Sequence, residues 1–292
     1  MTVYFRAWLG SLCGLVALAC SHTQDAGKAS RPSASTQSGA RGTASAGTGS
    51  ASEVQETPGR TERAQHESAG SLAPVAVVEL FTSEGCSSCP SADRVLAEIE
   101  EQRRRDGQNV IALAFHVDYW NRLGWKDRFS ARVYSDRQRW YALHEPEPRV
   151  YTPQMIVQGR EEFIGSHRDA ARRAIQKALG EPARASVSLE ARDIGPDEWN
   201  TTFEVRNAKP GDHLTLALLR RDASTRVVAG ENAGNTLRHV NVVVDYARKS
   251  VDSGRGSWRP RPQPGVAVEL TAFVQDRDSF EVLGAQRLTL AR

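Results

Sequence analysis

The chain has 292 residues, 39% of them hydrophobic and 25% charged, with a formal net charge of +3 at pH 7. So small a positive balance, with no basic patch interleaved with aromatic residues, leaves no footprint for a nucleic-acid partner. No apolar run approaches the roughly 20 residues that a membrane-spanning helix requires.

Residues 1–19 read as a signal peptide, with Arg6 followed by a weakly interrupted apolar run from Ala7 to Leu18. The four cysteines are Cys13, Cys20, Cys86 and Cys89, and cleavage after Ala19 removes the first of them. Ala17-Leu18-Ala19 fits an ordinary small-x-small cleavage site, and it also resembles the bacterial lipoprotein signal, in which the cysteine after the cut is acylated. Plain secretion would leave Cys20 as an unpaired N-terminal thiol in an oxidising compartment, which favours lipidation of Cys20 as a membrane anchor. Ser21 resembles the position that permits sorting to an outer membrane. The expected location is the periplasm or the outer membrane as a lipoprotein, and otherwise outside the cell.

Residues 20–73 are rich in Ser, Gly and Ala and hold almost no large apolar side chain, so a disordered tether is expected. Some fifty residues of flexible coil would reach about 40 Å. From residue 74 the composition turns globular, and about 220 residues are more than one small core needs. Two units are expected, an α/β unit over 74–182 and a mainly antiparallel, sandwich-like β unit over 183–292.

In the first unit, Val75 to Phe81 and Val110 to Val117 are nearly continuous apolar runs, as in parallel strands buried on both faces. Between them a helix from about Ser88 to Arg103 aligns Ala92, Val95, Leu96 and Ile99 on one face, with Pro90 in its first turn. A second helix is predicted over 128–144, then a hairpin from Gln154 to Gln158 and Glu162 to Ile164. Ser166 with Asp169 reads as a capping box opening a last helix, which ends at Gly180 and Pro182. The arginines Arg103 to Arg105, Arg137, Arg139, Arg172 and Arg173 fall on these helices and read as solvated faces. In the second unit six strands are expected, from Ser186, Thr201, Leu214, His239, Val266 and Ala285 onward, and Gly230 to Asn235 reads as a turn.

The chemistry concentrates at Cys86-Ser87-Ser88-Cys89, set between a buried strand and a helix start. Two cysteines three apart there can close a small disulfide, and the helix N-terminus stabilises the thiolate of the first. Cys86 would attack and Cys89, one turn deeper, would resolve the mixed disulfide. Ser87 and Ser88 carry no charge, and an intermediate redox potential is expected.

This order of elements resembles the thioredoxin fold. The resemblance implies a cis-proline at Thr152-Pro153, beside the dithiol and next to backbone that pairs with substrate, and a buried carboxylate at Glu79 exchanging protons with Cys89. Four motifs bring the chain closer still to one family: Val78 to Pro90, Phe115 to Trp120, Leu123 to Asp127, and Tyr151 to Met155. In that order they resemble the secreted proteins of the domain of unknown function 1223 family.

His116, Asp118, Tyr119 and Trp120 end the second strand, where α/β sheets hold ligands, and with Trp125 they are candidate walls of a peptide groove. The plainer reading is a set of packed loop residues. The reading of the whole is a thiol–disulfide oxidoreductase without a cofactor, acting on protein thiols or disulfides of the cell envelope. The alternatives are a soft-metal module, with copper bound by the cysteines and Met155 or His116, and a binding domain with a structural disulfide.

Overall fold

The computed structural model describes residues 61–63, 72–195, 198–261 and 268–290. The signal peptide, Cys20 and all of the tether except 61–63, 72 and 73 lie outside the described residues. The elements in chain order are β1 (Thr61–Arg63), β2 (Ala76–Thr82), α1 (Cys89–Asp106), β3 (Val110–His116), a 3-10 turn at Asn121–Leu123, α2 (Arg132–Ala142), β4 (Gln154–Val157), β5 (Glu161–Ile164) and α3 (Arg168–Leu179). They continue with β6 (Ser186–Gly195), β7 (Glu198–Arg206), β8 (His213–Arg226), β9 (Thr236–Ser250), β10 (Arg255–Trp258), β11 (Val268–Gln275) and β12 (Val282–Thr289).

Among the described residues these strands form a mixed α/β structure around a large, mainly antiparallel sheet of order β12-β11-β8-β9-β3-β2-β4-β5. The pair β2 and β3 is parallel, in register from Ala76 opposite Val110 to Thr82 opposite His116, because α1 carries the chain back between them. A second sheet, β1-β6-β7-β10, is antiparallel throughout.

Alternation along β2 decides what each face buries. Ala76, Val78 and Leu80 pack on Ala92, Val95 and Leu96 of α1 and on Ala171, Ala174 and Ile175 of α3. Val77 and Phe81 turn the other way, toward Tyr134 and Tyr141 of α2 and Phe273 and Leu219 of the C-terminal strands. A third core forms where Val187, Leu189 and Trp199 of the smaller sheet cover Leu214, Leu216 and Leu218 of β8 and Leu270 of β11.

The division expected at residue 183 is therefore not a break in the sheet. β3 pairs in parallel with β9 at Ala114 opposite Val242, and α2 packs against strands from both halves. A sandwich contact does occur, between the smaller sheet and the C-terminal strands of the larger one.

Other departures have local causes. The second helix starts at Arg132 rather than 128, because the Asp127 carboxylate accepts the Phe129 N–H and the Asp127 carbonyl accepts from Ser130, holding that stretch as a turn. The capping box at Ser166 is absent: His167 precedes α3, no side chain caps it, and Asp169 instead meets Arg172. Arg137 and Arg103 are not solvated; Arg137 is buried against Glu79, and Arg103 donates to Glu100. Finally, β8 and β9 run on past their apolar cores to Arg226 and from Thr236, as a long hairpin whose alternation is broken by Arg220, Arg221 and Asp222. No helix among the described residues is long and apolar enough to cross a membrane.

Candidate functional site

The chain leaves β2 at Thr82 and turns tightly into α1. Cys86 N–H donates to the Ser83 carbonyl and Cys89 N–H to the Cys86 carbonyl, a reverse turn that brings the two Cα atoms to 5.4 Å. At that separation the cysteines join as a disulfide, within the span such bridges require. Cys89 is the first residue of α1 and Pro90 follows it, where a missing N–H costs no helical bond. The Cys86 sulfur lies 3.3 Å from the Ser88 hydroxyl.

The Thr152-Pro153 peptide bond is cis. Pro153 precedes β4, and a Cβ placed on Gly165 would lie 3.0 Å from Ala92 Cβ on α1 and 3.4 Å from Pro153 Cβ, so proline and helix start share one neighbour. The Trp120 indole N–H donates to Thr152 Oγ1 at 2.8 Å, and the Trp120 Cβ would stand 3.1 Å from a Cβ on Gly85. Trp120 therefore joins the turn before Cys86 to the loop before β4. Trp125 closes another side, its indole N–H donating to Glu84 Oε2 at 2.8 Å.

Neither cysteine is open to solvent; both are 0% exposed. The turn between β8 and β9 is bonded to the backbone on both sides of Cys86. Glu231 accepts the Ser87 N–H at 2.9 Å, and the Asn232 side chain donates to the carbonyls of Glu84 and Cys86, each at 2.9 Å. Gly230 has a left-handed φ of +75°, and a Cβ there would approach Trp125 Cβ to 3.1 Å, so a bare backbone lets this turn lie on the tryptophan. Hydrogen bonds from the Ser87 side chain and N–H hold the Glu231 carboxyl below its ordinary pKa.

A buried charged cluster adjoins the turn. His116 Nδ1 lies 2.7 Å from Asp127 Oδ2, and the same oxygen accepts the Glu84 N–H at 2.9 Å. Burial works against the Asp127 carboxylate, but the facing His116 ring and the N–H groups of Glu84 and Phe129 outweigh it and lower its pKa. His239 of β9 lies with Nε2 3.4 Å from Glu84 Oε1 and Nδ1 3.5 Å from Asp93 Oδ2. Its ring stands 4.7 Å from that of His116, centroid to centroid.

The residues singled out by sequence divide accordingly. Cys86, Cys89, Pro153, Thr152, Trp120 and Trp125 are drawn around the helix start. His116 is fully buried and committed to Asp127, so it is no groove wall. Met155 packs in the apolar core of β2, α1 and α3 and not with the cysteines. Glu79 stands on the face of β2 that meets α2, away from α1. Its carboxylate takes the Arg137 guanidinium at 2.5 and 2.8 Å and the Tyr141 hydroxyl at 2.5 Å, which leaves no place for proton exchange with Cys89. Glu84, Asp93, Glu231 and Asn232 are the additions the structure makes. Of these only Glu84 had a signal in sequence, as an acidic residue two before the first cysteine.

A family model described as "Protein of unknown function (DUF1223)" matches residues 77–275, which takes in the dithiol turn, the cis-proline and the covering hairpin. The chain belongs to the DUF1223 family. Among solved structures, this DUF1223 chain is similar to a crystal structure of a protein from Agrobacterium tumefaciens, at 27% identity and a TM-score of 0.54, over 74% of this chain and 95% of that one. A domain of the outer membrane lipoprotein Omp28 from Porphyromonas gingivalis aligns over 37% of this chain and 88% of its own, at 16% identity and a TM-score of 0.21, too low to carry an argument. No curated protein matches the chain.

Proposed function

We propose that this DUF1223 protein is an exported thiol–disulfide oxidoreductase on a thioredoxin-like frame, exchanging electrons with protein thiols or disulfides of the cell envelope. The observation that carries this reading is a disulfide between Cys86 and Cys89 at the first turn of a helix, with a cis-proline, Pro153, that shares Gly165 as a neighbour with the same helix. Export and anchoring through Cys20 rest on the N-terminal sequence alone.

The chemistry follows from position. In the dithiol form the Cys86 thiolate attacks one sulfur of a client disulfide, and the other client sulfur leaves as a thiolate. Cys89, deprotonated in turn, attacks the Cys86 sulfur, closes the intramolecular disulfide and releases the client's second thiol. The client gains two electrons and two protons, and run backward the same steps oxidise it. The positive end of α1 lowers the cost of charge on the sulfurs at its first turn. Thr152 and Trp120 lie where an extended client backbone would rest.

A second reading, a binding domain with a structural disulfide, is favoured by the complete burial of both cysteines. One experiment separates them. Purified wild-type protein and Cys86→Ser are compared in reducing a disulfide-bonded test protein, and equal rates would remove the enzymatic reading. Equilibration of the Cys86–Cys89 pair with glutathione buffers supports exchange, whereas resistance to strong reductant supports a staple.

A further inference from the structure

His239 stands in an arrangement that the dithiol chemistry as described does not use. It belongs to β9, far along the chain from the cysteines, and its side chain is buried. Its two ring nitrogens face one oxygen each of two carboxylates, Glu84 Oε1 and Asp93 Oδ2, at 3.4 and 3.5 Å. The other oxygens are taken: Glu84 Oε2 by the Trp125 indole, Asp93 Oδ1 by the Thr82 hydroxyl at 2.8 Å. Neither ring nitrogen has a hydrogen-bond partner of good geometry among the described residues, so the carboxylates alone answer them. A neutral imidazole would turn a lone pair toward one of those oxygens. Against carboxylate oxygens, the protonated ring alone presents a donor to both, and the geometry fits a buried cation here.

The two anions belong to the two arms of the dithiol turn. Glu84 lies two residues before Cys86, and Asp93 lies four after Cys89, one turn along the same face of α1. Asn232 binds the Glu84 and Cys86 carbonyls together. Two buried carboxylates so placed would repel a thiolate strongly in a low dielectric. The imidazolium cancels one of them.

We propose that His239, gripped by Glu84 and Asp93, is the cation that sets the thiol–thiolate balance of Cys86 and Cys89. The inference rests on the dithiol-exchange reading and adds to it the group that tunes the thiols. The step concerned is loss of a proton from a cysteine thiol, after a partner dithiol has supplied the two electrons and two protons that open the disulfide. Burial disfavours the charged ring, but Asp93 and Glu84 outweigh it and push its pKa up to about 10, in keeping with the geometry. Among the described residues the ring also faces His116, itself bonded to Asp127, and Phe129 at 6.1 Å, over which Arg128 and Arg220 lie.

The test is a pH titration of thiolate ultraviolet absorbance in the reduced protein, for wild type, His239→Gln, Asp93→Asn and the double variant. Loss of the cation in His239→Gln is expected to raise the thiol pKa by about one unit, or about tenfold less thiolate at a given pH. Asp93→Asn, which keeps the cation and loses one anion, is expected to lower it. The double variant restores the net charge and should return near wild type, a compensation that a purely structural role would not produce. An unmoved thiol pKa in His239→Gln, shifts of the same sign in both single variants, or a double variant displaced further than either would overturn the proposal. Should His239→Gln fail to fold, a thiol pKa unchanged or raised in Asp93→Asn overturns it alone. The titration needs no client, so a protein that exchanges disulfides with unmoved thiol pKa values overturns this inference only. A protein with the expected shifts and no exchange overturns only the reading beneath it.

Discussion

The side-chain nitrogen of Asn232 donates to two carbonyls at once, those of Glu84 and Cys86, each at 2.9 Å. A residue from the turn between β8 and β9 thus holds the cover over a disulfide that lies nearly 150 positions earlier. The turn is itself pinned at its base by Gly234 N–H to Val227 O and Val227 N–H to Asn235 O. If this turn is what shields the buried sulfurs, loosening it should speed their reduction. In Asn232→Ala two hydrogen bonds are lost, each worth about 1 kcal/mol net. Reduction by a small phosphine should then be about tenfold faster or more. Stopped-flow reduction rates check this, and a rate equal to wild type would show that the cover does not limit access.

The second clasp has a sign that depends on pH. Ser87 holds the Glu231 carboxyl below its ordinary pKa, so the charged form is favoured in the covered state. A depressed carboxylate contributes above its free pKa of about 4.3 and is lost as pH falls through the depressed value. The reduction rate by phosphine, which is not itself a thiolate, should therefore rise on acidification below pH ~4 in wild type. Glu231→Gln should show a raised rate at neutral pH and little further rise in acid. A parallel pH response in the two proteins would count against the clasp.

Glu79 and Arg137 supply a different prediction, since they hold the halves of the structure together and do not serve the sulfurs. Besides Glu79, the Arg137 guanidinium donates to Thr215 at 3.3 Å and Tyr246 at 3.2 Å, on β8 and β9, and to Gln275 at 3.1 Å on β11. Desolvation opposes the buried guanidinium, but Glu79 and the tyrosines outweigh it and keep Arg137 well above its ordinary pKa. Breaking such a pair by removing one partner costs about 3–5 kcal/mol, because the other charge is left buried. Arg137→Met is therefore expected to lose that much in urea unfolding, while Glu79→Gln leaves the thiol pKa of the reduced protein unmoved. A thiol pKa displaced in Glu79→Gln would return Glu79 to the proton path.

How far the sequence reveals this depends on the range over which each signal acts. The βαβ unit was legible because Val75 to Phe81, Val110 to Val117 and the Ala92-Val95-Leu96 stripe carry local apolar patterns, whereas the last helix was read from a capping box that the structure lacks. The dithiol was legible because its two residues are neighbours. Glu79 illustrates the limit: burial could be expected of it, but which face of β2 it took depends on register, and one position moves a side chain to the other side of the sheet. The cover could not be read at all. Gly230 to Asn235 has the composition of any turn, and only the length of the β8–β9 hairpin delivers it to Cys86. His239 likewise reads as one more polar residue in a strand until β9 pairs with β3 and sets it between Glu84 and Asp93.

The same histidine makes global stability depend on pH in a definite direction. Burial lowers the affinity of the ring for its proton, yet Asp93 and Glu84 outweigh burial and raise the pKa to about 10, against about 6.5 in an unfolded chain. A group whose folded pKa is raised contributes fully below its unfolded value and loses that contribution as pH rises through the folded one. Stability should accordingly decline between pH ~6.5 and ~10, by an amount on the order of a few kcal/mol. Asp127, held low by His116 and two N–H groups, acts at the other end, contributing above the ordinary aspartate range and failing in acid. Urea midpoints at pH 6, 8 and 10 measure the alkaline limb. Wild type is expected to weaken across that series, whereas His239→Gln starts lower and stays nearly level, since glutamine has no proton to lose. Equal slopes in the two proteins would show that the His239 ring does not carry the alkaline loss, since Tyr141, whose pKa is raised by burial, loses its contribution only above its unfolded value of about 10.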